Sequence, residues 1–285
     1  MKMRKEELEK IYEEVVNDIK NGYYDWRGEE EIDFEDLDIL RKGTKMYKDL
    51  RPIPKDRRPY FKSPAKIYVE NTDTFLKAID LGENCAVLNM ASHKHPGGGV
   101  ANGSRAQEEE LCRRSNLLYS LYSFTAQGNM FGFLQHGDDE YPLPRYGGIF
   151  SPQVTIYREP GTYNTMCNPK KCSVISVAGI VRPELDDFGM INSKDVSILK
   201  GKIRTILRIA IIENKTKLVL GALGCGAFKN PPRHVAMIFK EILGEEEFSH
   251  SFEEICFAIL EDSNSLRPGN PEGNLKPFMD VFGGR

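Results

Sequence analysis

The 285-residue sequence contains no long hydrophobic run. Its longest apolar stretches, such as residues 209–212 and 218–220, fall far short of the roughly 18 residues that a membrane-spanning helix needs. The first 20 residues interleave acidic and basic side chains and lack the apolar segment of a secretory signal. We therefore expect an intracellular, cytoplasmic protein that has no membrane partner.

The sequence also lacks an excess of charge of one sign. It has 39 Lys and Arg against 42 Asp and Glu, a formal net charge of -3, and a pI near 6.0. This balance does not require a nucleic acid or an acidic membrane as a partner, although local basic patches are compatible with it. A protein that coats a polyanion is therefore disfavoured.

Cysteine is scarce and scattered. Of the six cysteines, Cys85, Cys225 and Cys256 lie in or beside apolar runs, where a free thiol behaves as a small hydrophobic side chain. No disulfide framework is predicted from this spacing, and repeats and low-complexity segments are absent. Hydrophobic residues, in contrast, make up 40% of the chain, about 114 side chains, which is enough for one or two domains.

The N-terminal part of the chain is too charged to form a core of its own, since 30 of the first 59 residues are Lys, Arg, Asp or Glu. Within it, apolar residues at helical spacing predict an amphipathic helix over residues 3–21, and Pro52, Pro54 and Pro59 mark a linker. We expect this helix to pack on the main domain, because its polar face mixes both charge signs and so fits a membrane surface poorly. The predicted division is a helical extension, residues 1–60, and a second domain, residues 61–285.

From residue 64 onward, strand-like and helix-like segments alternate. Strands are predicted at 66–70, 85–90, 172–178, 217–221 and 255–260, and helices at about 74–81, 107–122, 194–213 and 232–243. Residues 123–171 are rich in Gly, Pro, Tyr and Phe, and we expect short strands and loops there. The alternation predicts an α/β fold in which helices cover both faces of the sheet.

Two small-residue loops follow predicted strands and precede predicted helices. The first contains Gly97, Gly98 and Gly99; the second runs Gly224-Cys225-Gly226-Ala227-Phe228. Backbone amides in such loops can bind a phosphate, and two of them can hold a diphosphate from both sides. The first loop fails the dinucleotide fingerprint at Asn102, and the second lacks the Gly-Lys-Ser/Thr of a P-loop. Two tight turns without a ligand remain an alternative.

Three adjacent acids, Glu108, Glu109 and Glu110, follow Gln107 at the start of the predicted helix. Acids in a first helical turn often only complement the helix dipole, a stabilisation of about 0.3 to 1 kcal/mol each. Two close carboxylates also repel each other, which raises at least one pKa toward the range of a general acid. Since helix neighbours point about 100° apart, two adjacent acids must have different roles.

Taken together, these motifs resemble the signature of poly(ADP-ribose) glycohydrolases. The matching pattern is Gly97-Gly98-Gly99, seven residues, then Gln107-Glu108-Glu109, and residues 88–121 resemble the bacterial or microbial type in particular. The resemblance extends over most of residues 65–261. It implies a macrodomain-like mixed sheet sandwiched between helices, with the helical extension in front of it, and a site for ADP-ribose.

The resemblance also implies a role for each matching residue. Glu109 would be the catalytic acid, Glu108 would hold hydroxyls of the distal ribose, and Gln107 would brace the loop. The other expected substrate-binding residues are Gly97, Gly98 and Gly99 at the diphosphate and distal ribose, Gly224, Cys225, Gly226 and Ala227 at the diphosphate, Phe228 over the ribose, and Asn89 after its strand. Ser92 departs from the pattern, because many macrodomains have a second asparagine there.

The implied activity is hydrolysis of ribose–ribose O-glycosidic bonds in poly(ADP-ribose), which reverses ADP-ribosylation and releases ADP-ribose. The substrate would be the polymer or ADP-ribosylated proteins, the chain would be a monomer, and neither a cofactor nor a metal is implied. Two alternatives stay open: a module that binds ADP-ribose without cleaving it, and a hydrolase of single ADP-ribose units on protein or nucleic acid.

Three further expectations concern competing sites and geometry. His93 and His95 have no nearby partner ligands and predict no metal site. A Cys225–His234 nucleophile and base pair is disfavoured. Finally, a helix that begins at Gln107 would place Glu108 near the core and Glu109 nearly opposite, so the roles implied for the two acids require them to lie on a loop, with the helix starting after them.

Overall fold

The computed structural model describes residues 3–35, 37–133, 139–261 and 265–283. Its strands are β1 (Tyr23–Trp26), β2 (Glu30–Asp33), β3 (Lys45–Tyr47), β4 (Lys66–Glu70), β5 (Cys85–Ala91), β6 (Gly148–Arg158), β7 (Thr165–Ala178), β8 (Lys217–Leu220) and β9 (Glu254–Ala258). Its α-helices are α1 (Lys5–Asn21), α2 (Leu37–Gly43), α3 (Thr74–Leu81), α4 (Gln107–Arg114), α5 (Leu117–Leu121), α6 (Ser193–Ile212), α7 (Pro232–Leu243) and α8 (Leu275–Phe282).

Seven strands form one mixed sheet in the order β3-β6-β7-β5-β8-β9-β4, and β1 and β2 form a separate hairpin. The strands from β7 to β4 are parallel, whereas β6 is antiparallel to both of its neighbours. Successive residues of β5 alternate between two apolar clusters, with Val87 in one and Ala86 and Leu88 in the other. The predicted α/β fold with a mixed sheet between helical layers is confirmed.

Each face of the sheet has its own helical layer. Helices α1, α3, α4 and α5 contribute to the cluster that contains Val87, and α6, α7 and α8 contribute to the cluster that contains Leu88. Because both faces are covered, the inner strands are apolar on both sides, as parallel strands in such folds are. The layers leave the carboxyl ends of β5, β8 and β9 as the edge at which loops can form a site.

Several predicted elements agree closely with the structure. The strand at 66–70 and the helix at 232–243 have the predicted bounds, and the Asp73 side chain caps α3 by accepting a hydrogen bond from the Leu76 amide (3.0 Å). The amphipathic N-terminal helix begins at Lys5, two residues later than predicted. These elements have strong local signals, namely a capping residue, a proline in the first turn or a regular apolar stripe.

The predicted helix over 107–122 is wrong in its length. It ends at Arg114, and α5 begins at Leu117 after a break at Ser115, which adopts an extended conformation and forms a β-bridge with Ile156. The Asn116 amide also donates to the Thr155 carbonyl (3.2 Å). Pairing with β6 therefore replaces helical hydrogen bonds that the apolar periodicity alone predicts.

The expectation of short strands in residues 123–171 is also wrong in part. Residues 148–158 form one 11-residue strand, and β7 begins at Thr165 and runs for 14 residues, so the two make a long antiparallel pair. The pairing shifts register between Ser151 and Val154, near Pro152. Proline and this irregularity interrupt the alternating pattern by which a strand is recognised in sequence.

The N-terminal segment is integrated into the main body. The buried stripe of α1 contains Leu8, Val15 and Ile19, and β3 pairs with β6 at the edge of the large sheet. The domain boundary at residue 60 stays a prediction. No helix in the described ranges combines the length and the apolar character needed to cross a membrane.

Candidate active site

A cavity of about 680 Å³ lies at the carboxyl edge of β5, β8 and β9. The loop at 224–228, the first turn of α4 and residues 258–260 form its walls. In chain order, the lining includes Asp73, Met90, Gln107, Glu109, Glu110, Gly179, Gly224, Gly226, Ala227, Phe228, Ala258, Ile259, Leu260 and Arg267. Glu109 thus shares one cavity with the second predicted loop, whereas Gly97, Gly98 and Gly99 do not line it. The predicted meeting of the two loops around a diphosphate stays a prediction.

Glu109 is held at a fixed position by backbone amides. Its Oε1 accepts a hydrogen bond from the Gly99 amide (2.8 Å), and its Oε2 accepts one from the Ala106 amide (2.8 Å). The side chain is 7% exposed and lines the cavity. A carboxylate at the third helical position that accepts from the N-cap amide is half of a capping box, so the helix start itself orients Glu109.

Glu108 is buried more deeply, on the side of the loop after β5. Its Oε2 accepts from the Ser92 amide (2.6 Å), and its Oε1 accepts from the Gly97 amide (3.1 Å) and, at 3.5 Å, from the Asn89 side chain. Burial raises the pKa of Glu108 to about 8, and the charge of Glu109 acts in the same direction, against the hydrogen bonds from Ser92, Asn89 and Gly97. The two neighbouring acids therefore have different surroundings.

The predicted helix start at Gln107 is confirmed, so the condition that the acids precede the helix is not met. Helix α4 begins at Gln107, and both acids lie in its first turn. The residue 97–99 loop folds over this turn and reaches both side chains, so that a Cβ at Gly98 would come within 2.5 Å of Glu109 Oε1 and 3.0 Å of Glu108 Oε2. A loop that wraps around the helix start can contact two side chains that point in different directions.

The glycine loop contacts the acids through its own amides. Gly97 and Gly99 donate to Glu108 and Glu109, and the Gly98 amide donates to the His95 carbonyl (2.9 Å). Gly97 and Gly98 have φ values of +76° and +59°, in the region that favours glycine. The loop therefore orients the two carboxylates, whereas contact of these glycines with a diphosphate stays a prediction.

Gln107 and Asn89 brace the end of β5. The Gln107 side chain donates to the Leu88 carbonyl (2.7 Å) and accepts from the Met90 amide (2.8 Å), which ties α4 to the strand. Asn89 is fully buried and donates to Ser176 Oγ (3.0 Å). Its Oδ1 atom has no hydrogen-bond partner within the described part of the chain, so an acceptor next to Glu108 is left unsatisfied.

The second loop is fixed by two residues that the sequence did not suggest. Asn230 donates to the carbonyls of Ile180 (2.6 Å) and Gly224 (3.0 Å), and Arg267 donates to the carbonyls of Gly226 (2.5 Å) and Cys225 (3.0 Å). Neither residue belongs to a recognisable motif, and Arg267 is about 40 residues from its partners in the chain.

The competing nucleophile is not assembled. Cys225 is fully buried, burial raises the pKa of its thiol, and its Sγ lies 3.7 Å from the Leu223 carbonyl oxygen. His234 accepts a hydrogen bond from the Ile191 amide through Nδ1 (2.9 Å). Cys225 therefore contributes its backbone to the loop, while Gly224, Gly226, Ala227 and Phe228 line the cavity.

Comparison with known proteins points to one family. The family model "Microbial-type PARG, catalytic domain" matches residues 13–159. Among solved structures, poly(ADP-ribose) glycohydrolase from Thermomonospora curvata has a TM-score of 0.78 at 27% identity, over 97% of this chain and 100% of that one. Its complex with the inhibitor ADP-HPD has a TM-score of 0.76 at 27% identity, over 96% and 99% of the two chains.

The enzyme from Deinococcus radiodurans in complex with ADP-ribose has a TM-score of 0.66 at 28% identity, over 88% of this chain and 98% of that one. No curated protein matches the sequence.

Proposed function

Since the chain belongs to the family of microbial-type poly(ADP-ribose) glycohydrolase catalytic domains, we propose that it hydrolyses ribose–ribose O-glycosidic bonds of poly(ADP-ribose), with Glu109 as general acid and base. ADP-ribose is the product. The observation that carries this proposal is the position of Glu109, a carboxylate that two amides anchor in the lining of a cavity that the loop at 224–228 also lines.

Glu109 would act on the bond that joins the anomeric carbon of one unit to a ribose hydroxyl of the next. Departure of that oxygen leaves an oxocarbenium-like centre, which the negative diphosphate of the same unit stabilises. Glu109 gives its proton to the leaving oxygen and then takes a proton from the attacking water. The water oxygen forms the new bond to the anomeric carbon, and its proton replaces the one that Glu109 gave to the leaving oxygen.

The diphosphate would be bound by the loop at 224–227. Arg267 holds the carbonyls of Cys225 and Gly226 on one side of this loop. Because the C=O and N–H groups of one peptide point in opposite directions, the amides of Gly226 and Ala227 are turned away from Arg267, as anion binding by backbone amides requires. Phe228 lines the same cavity and would pack over the ribose.

Glu108 and the glycine loop would define the distal ribose position. Glu108 accepts hydrogen bonds from the Ser92 and Gly97 amides, and its carboxyl oxygens have further lone pairs that can accept hydrogen bonds from ribose hydroxyls. Asn89, next to it, has an unsatisfied acceptor for the same purpose. A monomeric state and a cytoplasmic location stay predictions.

The test is the substitution Glu109→Gln, which keeps the size of the side chain and removes its acidity. Loss of general acid–base catalysis predicts a fall in kcat of about a hundred- to ten-thousandfold, with the affinity for ADP-ribose retained. Release of ADP-ribose from polymer measures kcat, and calorimetric titration with ADP-ribose measures the affinity.

The matched control is Glu110→Gln, one residue further along the same helix. Glu110 also lines the cavity and pairs with Arg113, but the Tyr163 hydroxyl binds its carboxylate at 2.6 and 2.7 Å, so we expect most of the activity to remain in Glu110→Gln. Full activity in Glu109→Gln would exclude the assignment. A wild-type protein that binds ADP-ribose without releasing it from polymer would be a binding module, and one that cleaves only single units would be a mono-ADP-ribosyl hydrolase.

A further inference from the structure

Four basic side chains next to the candidate active site have no ion pair within the described residues. Lys202 lies on α6, Arg145 precedes β6, and His93 and Lys94 lie in the loop after β5. None of them lines the cavity that contains Glu109. We call Lys202, Arg145 and His93 the basic cluster.

Backbone contacts bring these three segments together. The Leu143 amide donates to the His93 carbonyl (2.9 Å), which joins the segment before β6 to the loop after β5. Thr205 Oγ1 on α6 donates to the Tyr146 carbonyl (2.9 Å), and Gly201 lies against the Tyr146 ring. Lys202, between Gly201 and Thr205 in the chain, is therefore next to the segment that contains Arg145.

Lys202 is the unusual member of the cluster, because it is only 6% exposed and has neither a hydrogen bond nor an ion pair among the described residues. Burial, together with the charge of Arg145, lowers the pKa of Lys202 to about 8. Burial and the charges of Lys202 and Lys94 also lower the pKa of His93. A buried ammonium without a partner is unfavourable unless an anion compensates for it.

The basic cluster lies outside the cavity but adjoins the loop that binds Glu108 and Glu109. Strand β5 ends at the loop that holds Glu108 and Glu109, and it has β7 and β6 on one side and β8 and β9 on the other. The cavity is lined at the ends of β5, β8 and β9 and by Gly179 after β7. Helix α6 packs on β6 and β7, and His93 directly follows Ser92, whose amide donates to Glu108.

We propose that the basic cluster is a second anion site, which binds the diphosphate of the polymer unit on the leaving side of the scissile bond. The proposal rests on the proposed function. Every unit of poly(ADP-ribose) carries a diphosphate, so a substrate held across the catalytic acids brings one such group to each side. Ammonium and guanidinium groups form charge-assisted hydrogen bonds to phosphate oxygens, which are stronger than neutral ones.

The test compares ligands of one and two units in the Glu109→Gln background, where turnover does not interfere. We expect the two-unit ligand, an ADP-ribose dimer, to bind about tenfold more tightly than ADP-ribose in calorimetric titration, since one charge-assisted contact is of that size. Lys202→Met keeps the length of the side chain and removes its charge. It should reduce this preference to less than about twofold while the affinity for ADP-ribose is unchanged.

Lys200→Met is the matched control, because it removes the same charge from the same helix, where Lys200 pairs with Glu241 of α7. We expect it to keep the preference for two units. Arg145→Gln removes another charge of the basic cluster at an exposed position, so it does not disturb the core. It should also reduce the preference for two units. Full retention of the preference in both Lys202→Met and Arg145→Gln, or equal weakening of both ligands, overturns the proposal.

Titration with inorganic pyrophosphate shows whether the basic cluster binds a diphosphate of the polymer or a free anion. If pyrophosphate binds the protein saturated with ADP-ribose as tightly as the second unit is held, the cluster serves a free anion and the assignment to polymer is wrong. Absence of polymer hydrolysis by the wild type contradicts the proposed function itself, whereas an intact two-unit preference in the variants contradicts only the second site.

Discussion

Adjacent residues of one helical turn have different chemistry because of what surrounds them. Glu108 is almost fully buried next to Asn89 and Ser92, and Glu109 reaches the cavity wall. Burial is the main cause of the raised pKa of Glu108. In the sequence, Glu108 cannot be told apart from its neighbour Glu109, because both are acids of the same acidic run. The sequence predicts that the two acids differ in role, and the structure shows the physical cause.

The raised pKa of Glu108 predicts how stability depends on pH. In the unfolded chain a glutamate releases its proton near pH 4.5, whereas in the folded protein Glu108 retains it to about pH 8. The folded state therefore binds more protons in this interval, and the free energy of unfolding falls as the pH rises from about 4.5 to about 8. The decrease attributable to Glu108 is on the order of a few kcal/mol.

Urea denaturation of the wild type and of Glu108→Gln at pH 5 and pH 8.5 measures this effect. The wild type should lose more stability than the variant between the two pH values, because the variant has no proton to release at this position. Parallel pH profiles for the two proteins would show that Glu108 is ionised with an ordinary pKa in the folded state.

At the scale of elements, the active site depends on one loop folded over one helix start. The capping interaction of Glu109 and the amides of the 97–99 loop fix the same carboxylate from two directions. The sequence predicts the loop and the helix separately, because each has a local signal. Their contact depends on how β5 and α4 pack, and Gln107 secures that packing through Leu88 and Met90.

Gly98→Ala tests this contact. The new Cβ would lie 2.5 Å from Glu109 Oε1, at a position where φ is +59°, so the loop or the carboxylate must move. We expect kcat to fall at least about a hundredfold, because misplacement of a catalytic group by about 1 Å has an effect of that size. The strain of a non-glycine residue at positive φ adds about 1–2 kcal/mol of destabilisation.

Gly161→Ala is the control, since Gly161 also has a positive φ of +76° but no atom within 4 Å of the new Cβ. It should lose similar stability from strain and retain kcat. Comparable kcat values for the two variants, with thermal unfolding monitored in parallel, would contradict the positioning role of the glycine loop.

At the scale of the whole molecule, the N-terminal segment is part of one packed unit. Arg113 is fully buried and donates to the carbonyls of Leu8 in α1 (3.3 Å) and Val100 after the glycine loop (3.1 Å). Arg158, in β6, pairs with Asp18 of α1 at 2.8 Å. Removal of α1 would leave buried cationic groups without these partners, which is strongly destabilising.

We therefore expect the fragment 61–285 to lack a cooperative unfolding transition, which circular dichroism during thermal unfolding measures. Co-expression with residues 1–60 as a separate chain should restore solubility and activity, because the missing contacts are not covalent. A fragment that unfolds sharply near the melting temperature of the full chain would show that residues 61–285 are an independent domain.

The sequence by itself determined the alternation of strands and helices, the two small-residue loops and the acidic turn, because each depends on residues close together in the chain. It predicted the start of α4 at Gln107 but missed the break at Ser115 and the long β6–β7 pair, where pairing with distant segments prevails over local propensity. Only the tertiary structure decided that Arg267 holds the loop at 224–228, and that Lys202 lies beside the segment that contains Arg145. These contacts join segments that the sheet order brings together, and neither spacing nor composition specifies that order.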